Sequence, residues 1–274
     1  MHTSHFIANG DLQTAYHDIG PFIGRGAPLL LVHGFTGSKL DFLNQLAWFS
    51  ENQRVIAYDH RGHGESTNVG PYTLDTLADD LLRFLDALDI PTCHVLGHSM
   101  GGMVVLRAIL QAPERFRSLI LMDTAPSGLQ LFEPEMRARI VDMVREDGCQ
   151  VLVAGMRGMP QPPSIKRGID FLGENEHWRR IQVKLEQMDP EAFADLGDEL
   201  ANQTGVVESL NQISVPTSVI VGEDDKPFIE PSRLMASAID DARLDVIDKA
   251  AHSPQYENPE AWRAAVDAHL ARAS

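Results

Sequence analysis

Short apolar runs alternate with amphipathic stretches over the first half of the chain, and this alternation restricts the fold more than any other feature. In order they are PLLLV, LDFLNQLAWF, RVIAYD, TLDTLADDLLRFLDAL, CHVLG, the stretch after Ser99, and SLILMD. The short runs are typical of buried strands, and the longer stretches are typical of helices. Strands joined through helices pair in parallel, and helices cover both faces of such a sheet. We therefore predict an α/β fold with a mostly parallel sheet.

Three further segments complete the predicted organisation. FIANGDLQTAYHD has alternating runs on either side of Asn9-Gly10, which predicts an N-terminal hairpin. After the last parallel strand, from about Ser127 to Leu210, only helical spacing is found, interrupted by MPQPPS. The alternation then resumes with PTSVIVG, a helix from about Pro231, RLDVID, and a helix from Pro259. We predict one core, residues 1–126 and 211–274, with a helical cap inserted at 127–210.

The apolar positions of the insertion repeat at helical spacing and predict two buried helix faces. These positions are Met136, Ile140, Met143 and Val144 on one face, and Trp178, Ile181, Leu185 and Met188 on the other. Together with Phe171, they predict an enclosed apolar cleft over the core.

The charge balance of the chain argues against a nucleic-acid partner. The 274 residues include 39 acidic and 23 basic side chains, a formal net charge of −16, whereas nucleic-acid binding needs clustered basic residues. The dense basic stretch WRR at 178–180 has acidic neighbours and is predicted to be a solvated face. We predict a small-molecule substrate and no nucleic-acid partner.

Two observations bear on location. No apolar run approaches the length of a membrane span, and MHTSHFIANG lacks the basic start and apolar region of a secretory signal. Cys93 and Cys149 lie in different contexts and are predicted to be reduced thiols. We expect a cytoplasmic protein without a membrane partner; the oligomeric state is not predicted.

Ser99 lies where a predicted strand meets a predicted helix. Gly97-His98-Ser99-Met100-Gly101 matches G-x-S-x-G, in which a serine occupies a strained turn and the glycines let strand and helix approach closely. A serine hydroxyl is a weak nucleophile unless a base removes its proton. The motif therefore predicts a nucleophile only if the chain also provides a base and an acid.

His252 is the best placed base. Of the three histidines after Ser99, His177 lies in the helical insertion and His269 in the last helix, whereas His252 follows the strand RLDVID. Loops at the carboxyl ends of parallel strands present functional sites. For the acid, the loop VGEDDKPF offers Glu223, Asp224 and Asp225, and the spacing alone does not choose between them.

A metal site is the alternative use of the histidines in DHRGHGES. His60 and His63 lie close to Asp59 and Glu65. The glycines predict a turn, not a helix that presents two histidines on one face. We therefore predict a structural segment, with no metal and no cofactor.

These motifs together resemble the α/β-hydrolase superfamily over almost the whole chain, specifically its branch of serine carboxylesterases and enol-lactone hydrolases. They are HGF at 33–35, DHRGHGES at 59–66, GHSMGG at 97–102, and a G-x-x-D sequence before a late histidine. The resemblance implies an eight-stranded sheet and a helical lid. It also implies Asp225, aligned by Gly222, as the acid; Asp123 is the rival, because some members carry the acid after the earlier strand. Ala251 stands where glycine usually precedes the histidine.

The oxyanion hole is predicted from two amides. In an elbow the residue after the nucleophile, here Met100, provides one N–H. The resemblance implies that Phe35 of the HGF sequence provides the second, with Gly34 and Gly37 allowing the backbone to turn. The HGGG sequence of many lipases and esterases does not occur here.

The predicted activity is hydrolysis of a small to medium carboxylic ester through an acyl-enzyme. Epoxide hydrolases and haloalkane dehalogenases use an aspartate where this chain has Ser99, and are set aside. Carbon-carbon bond hydrolases commonly have a G-P-G turn where this chain has FTGS. Enol-lactone hydrolases, carbon-carbon bond hydrolases, cofactor-free perhydrolases and a ligand sensor with weak turnover remain open as alternatives.

Overall fold

An eight-stranded sheet forms the centre of the computed structural model, which describes residues 3–21 and 26–273. The strands are β1 His5–Asn9, β2 Leu12–Ile19, β3 Leu29–Val32, β4 Val55–Tyr58, β5 Cys93–His98, β6 Phe116–Met122, β7 Thr217–Gly222 and β8 Arg243–Ile247. The helices are α1 Leu43–Phe49, α2 Leu74–Ala87, α3 Met100–Gln111, α4 Pro134–Asp147, α5 Val151–Gly158, α6 Pro163–Leu172, α7 Glu174–Glu186, α8 Pro190–Asn202, α9 Lys226–Ala238, α10 Pro254–Glu257 and α11 Pro259–Arg272.

The strand order is β1-β2-β4-β3-β5-β6-β7-β8, which confirms the predicted fold class. β1 and β2 form the predicted hairpin, with Asn9 opposite Leu12, and β2 pairs antiparallel with β4. The other pairs are parallel. β5 therefore lies inside the sheet, between β3 and β6, and its carboxyl end is flanked by those of its neighbours.

Helices cover both faces of the sheet, which explains the uninterrupted apolar runs of the strands. Along β3, Leu30 and Val32 join a core with residues of α2, α3 and α9. Leu29 and Leu31 join a second core with residues of α1 and α11. Every residue of β3 and β4 is buried.

The insertion between β6 and β7 contains α4 to α8, and the proline-rich stretch separates α5 from α6. Its own small core comprises Val144, Cys149, Val153, Leu185, Met188 and Phe193. The prediction that Met136 and Met143 are buried is wrong, since they are 49% and 39% exposed. Helical spacing identifies a face, but the neighbouring helices pack on Ile140 and Val144 instead. The cap boundaries remain a prediction; residues 1, 2, 22–25 and 274 of the predicted core lie outside the described residues.

One helix boundary also differs from the prediction. α9 begins at Lys226, five residues before Pro231, which lies inside the helix. Pro227 occupies the first turn, where a missing N–H has no intrahelical acceptor to lose. Among the described residues, no helix has the length and apolarity needed to cross a membrane.

Candidate active site

Ser99 forms the turn between β5 and α3 and has a φ of 54° and a ψ of −123°. A non-glycine residue with positive φ is uncommon, and such strain persists only where the surrounding structure fixes it. Here the Ser99 N–H donates to Met122 O at 2.9 Å, and Thr124 Oγ1 donates to Ser99 O at 2.6 Å. A Cβ at Gly97 would lie 2.6 Å from Gly102 Cα. The G-x-S-x-G spacing therefore reflects the close contact of β5 with α3.

Ser99, His252 and Asp225 form one hydrogen-bonded chain. The distance from Ser99 Oγ to His252 Nε2 is 3.0 Å, and that from His252 Nδ1 to Asp225 Oδ2 is 2.7 Å. Because a carboxylate only accepts, Nδ1 carries the imidazole proton and Nε2 is free to accept from the serine. Asp225 is 6% exposed, so its charge has little access to water. This arrangement matches the geometry of a nucleophile, its base and an orienting acid.

The loop after β7 distinguishes the three acids that the sequence left open. Asp224 forms an ion pair with Arg167, and Glu223 Oε2 accepts from the Lys249 N–H at 3.3 Å. Asp225, just before α9, is the residue that hydrogen-bonds His252.

The loop that carries His252 is held on both sides of the imidazole. Glu257 Oε2 accepts from the Ala251 N–H at 2.8 Å, and Glu257 Oε1 accepts from the Ser253 N–H at 3.0 Å. His98 Nε2–H donates to His252 O at 2.7 Å. Burial lowers the pKa of His98 to about 4, which keeps this ring neutral near pH 7. No sequence pattern points to Glu257 or His98, because their hydrogen-bond partners come together only in the folded loop.

The two predicted oxyanion donors lie beside the nucleophile. Met100 opens α3, where the first N–H groups have no intrahelical acceptor. In the described chain, neither the Met100 amide nor the Phe35 amide donates a hydrogen bond to the protein. A Cβ at Gly34 would lie 2.8 Å from Ser99 Cβ, so the HGF segment passes directly against the serine. Both amides are therefore free to donate to a substrate oxygen.

Three buried histidines, His33, His60 and His63, pack against one another at the HGF segment. His33 Nδ1–H donates to Gly34 O at 2.8 Å, and His33 Nε2 accepts from the His60 N–H at 3.1 Å. The rings of His60 and His63 lie 4.5 and 5.1 Å from that of His33. Burial lowers the pKa of His60 to about 3 and that of His63 to about 4. These rings are therefore neutral, and at least two of them use a ring N–H to hold a backbone carbonyl.

Among the residues that the structure describes, one set of side chains has the spacing of a metal site. Asp123, Asp225 and His252 each offer one ligand atom, and these atoms lie within 4.8 Å of one another. A cation at this point would compete with the 2.7 Å hydrogen bond that orients His252. The set therefore fits the hydrogen-bonded arrangement better than it fits metal coordination.

The cavity over Ser99 has a volume of about 220 Å³ and one strongly polar wall. The wall is a stripe of α7, with His177, Arg180, Ile181 and Lys184 facing the opening. The prediction of an apolar cleft holds only in part, because Phe35, Ile165 and Leu172 line the cavity together with this polar stripe. The solvated face predicted for WRR is wrong for Trp178 and Arg180, which are 6% and 7% exposed. The i, i+3, i+7 spacing of the polar residues places them on one face of α7, but it does not indicate that this face lines the cavity. Lys184 pairs with Asp41 at 2.5 Å, and Arg180 pairs with Glu176 at 2.8 Å.

Comparisons with known proteins agree over nearly the whole chain. Residues 27–147 match the family model for the alpha/beta hydrolase fold. The 3-oxoadipate enol-lactonase 2 of Acinetobacter baylyi is 31% identical over 250 residues, which cover 89% of each protein. A thermophilic esterase from Thermogutta terrifontis is 28% identical, with a TM-score of 0.81 over 99% of each chain. The enol-lactonase from Burkholderia xenovorans LB400 is 25% identical, with a TM-score of 0.84 over 97% of this chain and 100% of that one.

Proposed function

This chain belongs to the α/β-hydrolase superfamily, in an enol-lactone hydrolase-like branch, and on that premise we propose that it is a cofactor-free serine hydrolase. Its substrate is a small to medium carboxylic ester. The observation that carries the proposal is the unbroken chain of hydrogen bonds from Ser99 Oγ through His252 to Asp225, at 3.0 and 2.7 Å. We call this chain of three residues the relay.

The proposed reaction has two halves. His252 Nε2 takes the proton of Ser99 while Oγ attacks the ester carbonyl, and the amides of Phe35 and Met100 donate to the resulting oxyanion. The intermediate collapses to an acyl-enzyme, and the leaving alkoxide takes the proton from His252. Water then attacks the acyl carbon and gives a proton to His252, which passes it to Ser99 Oγ as the acid is released and the free serine is restored. Asp225 stays ionised and holds the imidazole throughout.

The polar wall of the cavity favours a lactone hydrolase as the second candidate within the same mechanism. Arg180 and Lys184 are paired with Glu176 and Asp41, but they also line the cavity, where their remaining N–H groups would donate to a substrate carboxylate or to several oxygen atoms. Two relatives of this chain, from Acinetobacter baylyi and Burkholderia xenovorans, are enol-lactonases, which supports the same candidate. A lactone opens to a hydroxy acid with no separate leaving alcohol.

We also propose a cytoplasmic location. Cys93 and Cys149 are buried and free, and cysteines that stay unpaired are usual in a reducing compartment.

Labelling with a fluorophosphonate tests the nucleophile directly. Wild-type protein should be labelled once, at Ser99, because only an activated serine reacts readily. Ser99→Ala and His252→Ala should lose the label, with circular dichroism confirming that both remain folded. Absence of the adduct, or an adduct at another residue, would overturn the proposed mechanism.

A substrate panel then separates the candidate activities. Linear esters, lactones with and without a carboxylate, and a vinylogous 1,5-diketone are assayed with wild type and Ser99→Ala. Faster turnover of carboxylated lactones than of linear esters would select the lactone hydrolase. Cleavage of the diketone alone would select a carbon-carbon bond hydrolase, activity with peroxide alone would select a perhydrolase, and tight binding without turnover would select a sensor.

A further inference from the structure

A second carboxyl group lies behind the relay and has no assigned role. Asp123 follows β6 and is fully buried, at 0% exposure, with a φ of 45°. Its Oδ1 accepts from the Gly222 N–H at 2.9 Å, which ties the end of β6 to the end of β7. Its Oδ2 is buried and receives no hydrogen bond within the described chain. A buried oxygen without a donor is costly if the group is ionised.

The nearest polar neighbours of Asp123 are acidic. One carboxyl oxygen of Asp123, one of Asp225 and a ring nitrogen of His252 lie within 4.8 Å of one another. Glu257 adds a further negative charge on the same side, although Arg167 pairs with it at 3.1 Å. Two carboxylates this close in a buried place do not both stay ionised, and they bond to each other when one carries a proton.

The hydrogen bonds decide which of the two carries the proton. Asp225 Oδ2 accepts from His252 Nδ1–H, so a negative charge on Asp225 is stabilised by the imidazole. Asp123 faces no comparable donor at Oδ2. Burial, and after it the charge of Asp225, raises the pKa of Asp123 well above its usual range. His98, the other ionisable ring beside His252, is kept neutral by burial, which lowers its pKa to about 4.

We propose that Asp123 is a positioning residue that stays protonated and donates a hydrogen bond from Oδ2 to the Asp225 carboxylate, fixing that carboxylate against His252. The relay then has four members, and both alternative acid positions of the superfamily are occupied, one charged and one neutral. The role of Asp123 in turnover rests on the proposed function, but its protonation does not.

Asp123→Asn is the variant that distinguishes a neutral from a charged Asp123. Asparagine keeps an acceptor for the Gly222 N–H and an N–H donor for Asp225, so it mimics the protonated acid. We expect kcat/KM within about threefold of wild type and the acid limb of its pH profile within about 0.3 pH units. If Asp123 were ionised, removing a charge about 5 Å from His252 should move that limb to lower pH by about one to two units, and such a shift would overturn the proposal.

Asp123→Ala removes the hydrogen-bond donor and so tests whether turnover needs the bond to Asp225. Without the hydrogen bond, the Asp225 carboxylate attracts the imidazole proton more strongly, so the acid limb should move to higher pH. We expect kcat to fall about 10- to 100-fold, by analogy with the loss of other supporting groups of an active site. Thermal unfolding reports whether the fold survives. An acid limb identical to that of wild type in a folded Asp123→Ala protein would rule out a positioning role.

Infrared spectroscopy keeps the proposal testable where no substrate is found. At pH 7 the wild-type protein should show the carbonyl band of one buried protonated carboxylic acid, and Asp123→Asn should lack it. The band's absence from wild type would refute the protonated state. Its presence in a protein that no fluorophosphonate labels would leave Asp123 protonated and refute only the proposed hydrolysis.

Discussion

Mild acid should destabilise this protein through the histidines beneath the HGF segment, and His63→Gln should relieve a defined part of that loss. Burial lowers the pKa of His63 to about 4, whereas an unfolded histidine titrates near 6.5. Between these values the unfolded chain binds one more proton than the folded chain, so the free energy of unfolding falls as pH falls. From pH 7 to pH 5 one such histidine costs about 2 kcal/mol. His60, with its pKa at about 3, should contribute a similar amount.

Urea denaturation followed by circular dichroism at pH 7, 6 and 5 measures this loss. Glutamine does not titrate, and its amide can still donate to Arg61 O, the acceptor of His63 Nδ1–H at 3.0 Å. The loss between pH 7 and pH 5 should therefore be about 2 kcal/mol smaller in His63→Gln than in wild type. The matched control is His5→Gln, because the His5 side chain is exposed in the folded protein. Buried acids such as Asp59, whose pKa burial raises, act in the opposite direction but equally in all three proteins. Equal losses in His63→Gln and wild type would refute the reasoning.

Three further outcomes follow from the geometry of the site. Asp225→Asn should lower kcat about 10⁴-fold, because its amide would donate to His252 Nδ1 and force the wrong tautomer. Asp123→Asn should lower kcat far less. The reverse ranking in steady-state assays would place the acid after β6, at Asp123. In Gly34→Ala the added methyl would lie 2.8 Å from Ser99 Cβ and displace the HGF backbone. Fluorophosphonate labelling should fall at least about 100-fold, the effect of removing one oxyanion donor. The control is Gly197→Ala, whose methyl would lie 3.5 Å from Phe35 Cζ, and it should label normally. With p-nitrophenyl esters, turnover should peak at short to medium acyl chains because the cavity holds only about 220 Å³, and faster hydrolysis of long-chain emulsions would contradict this.

Local patterns predicted most of the sheet and the positions of Ser99 and His252. Strands buried on both faces leave contiguous apolar runs, which stay visible without any knowledge of the partners. The elbow depends on residues that are adjacent in the chain. His252 could be selected because its loop follows a strand, and that placement is a property of the sequence alone.

The composition of the cavity could not be predicted in this way. Arg180 and Lys184 are charged residues on a helix, and only the packing of α7 over the core turns that face toward Ser99. Met136 and Met143 fit a helical apolar stripe, but the helices packed on α4 leave them 49% and 39% exposed. The start of α9 was misplaced because Pro231 reads as an opening residue when tertiary contacts are ignored.

The order in which the relay's members occur along the chain sets when reactivity can arise during folding. The contact between Ser99 and His252 closes a loop of 153 residues, and His252 follows β8, which lies at one edge of the sheet. Contacts of such separation form late, because the entropy of loop closure must be overcome first. During synthesis, the strand and helix that carry Ser99 emerge long before its base does. A partly folded or partly synthesised chain therefore holds a serine without a proton acceptor, and fluorophosphonate reactivity is expected only once the segment that carries His252 has folded onto the core.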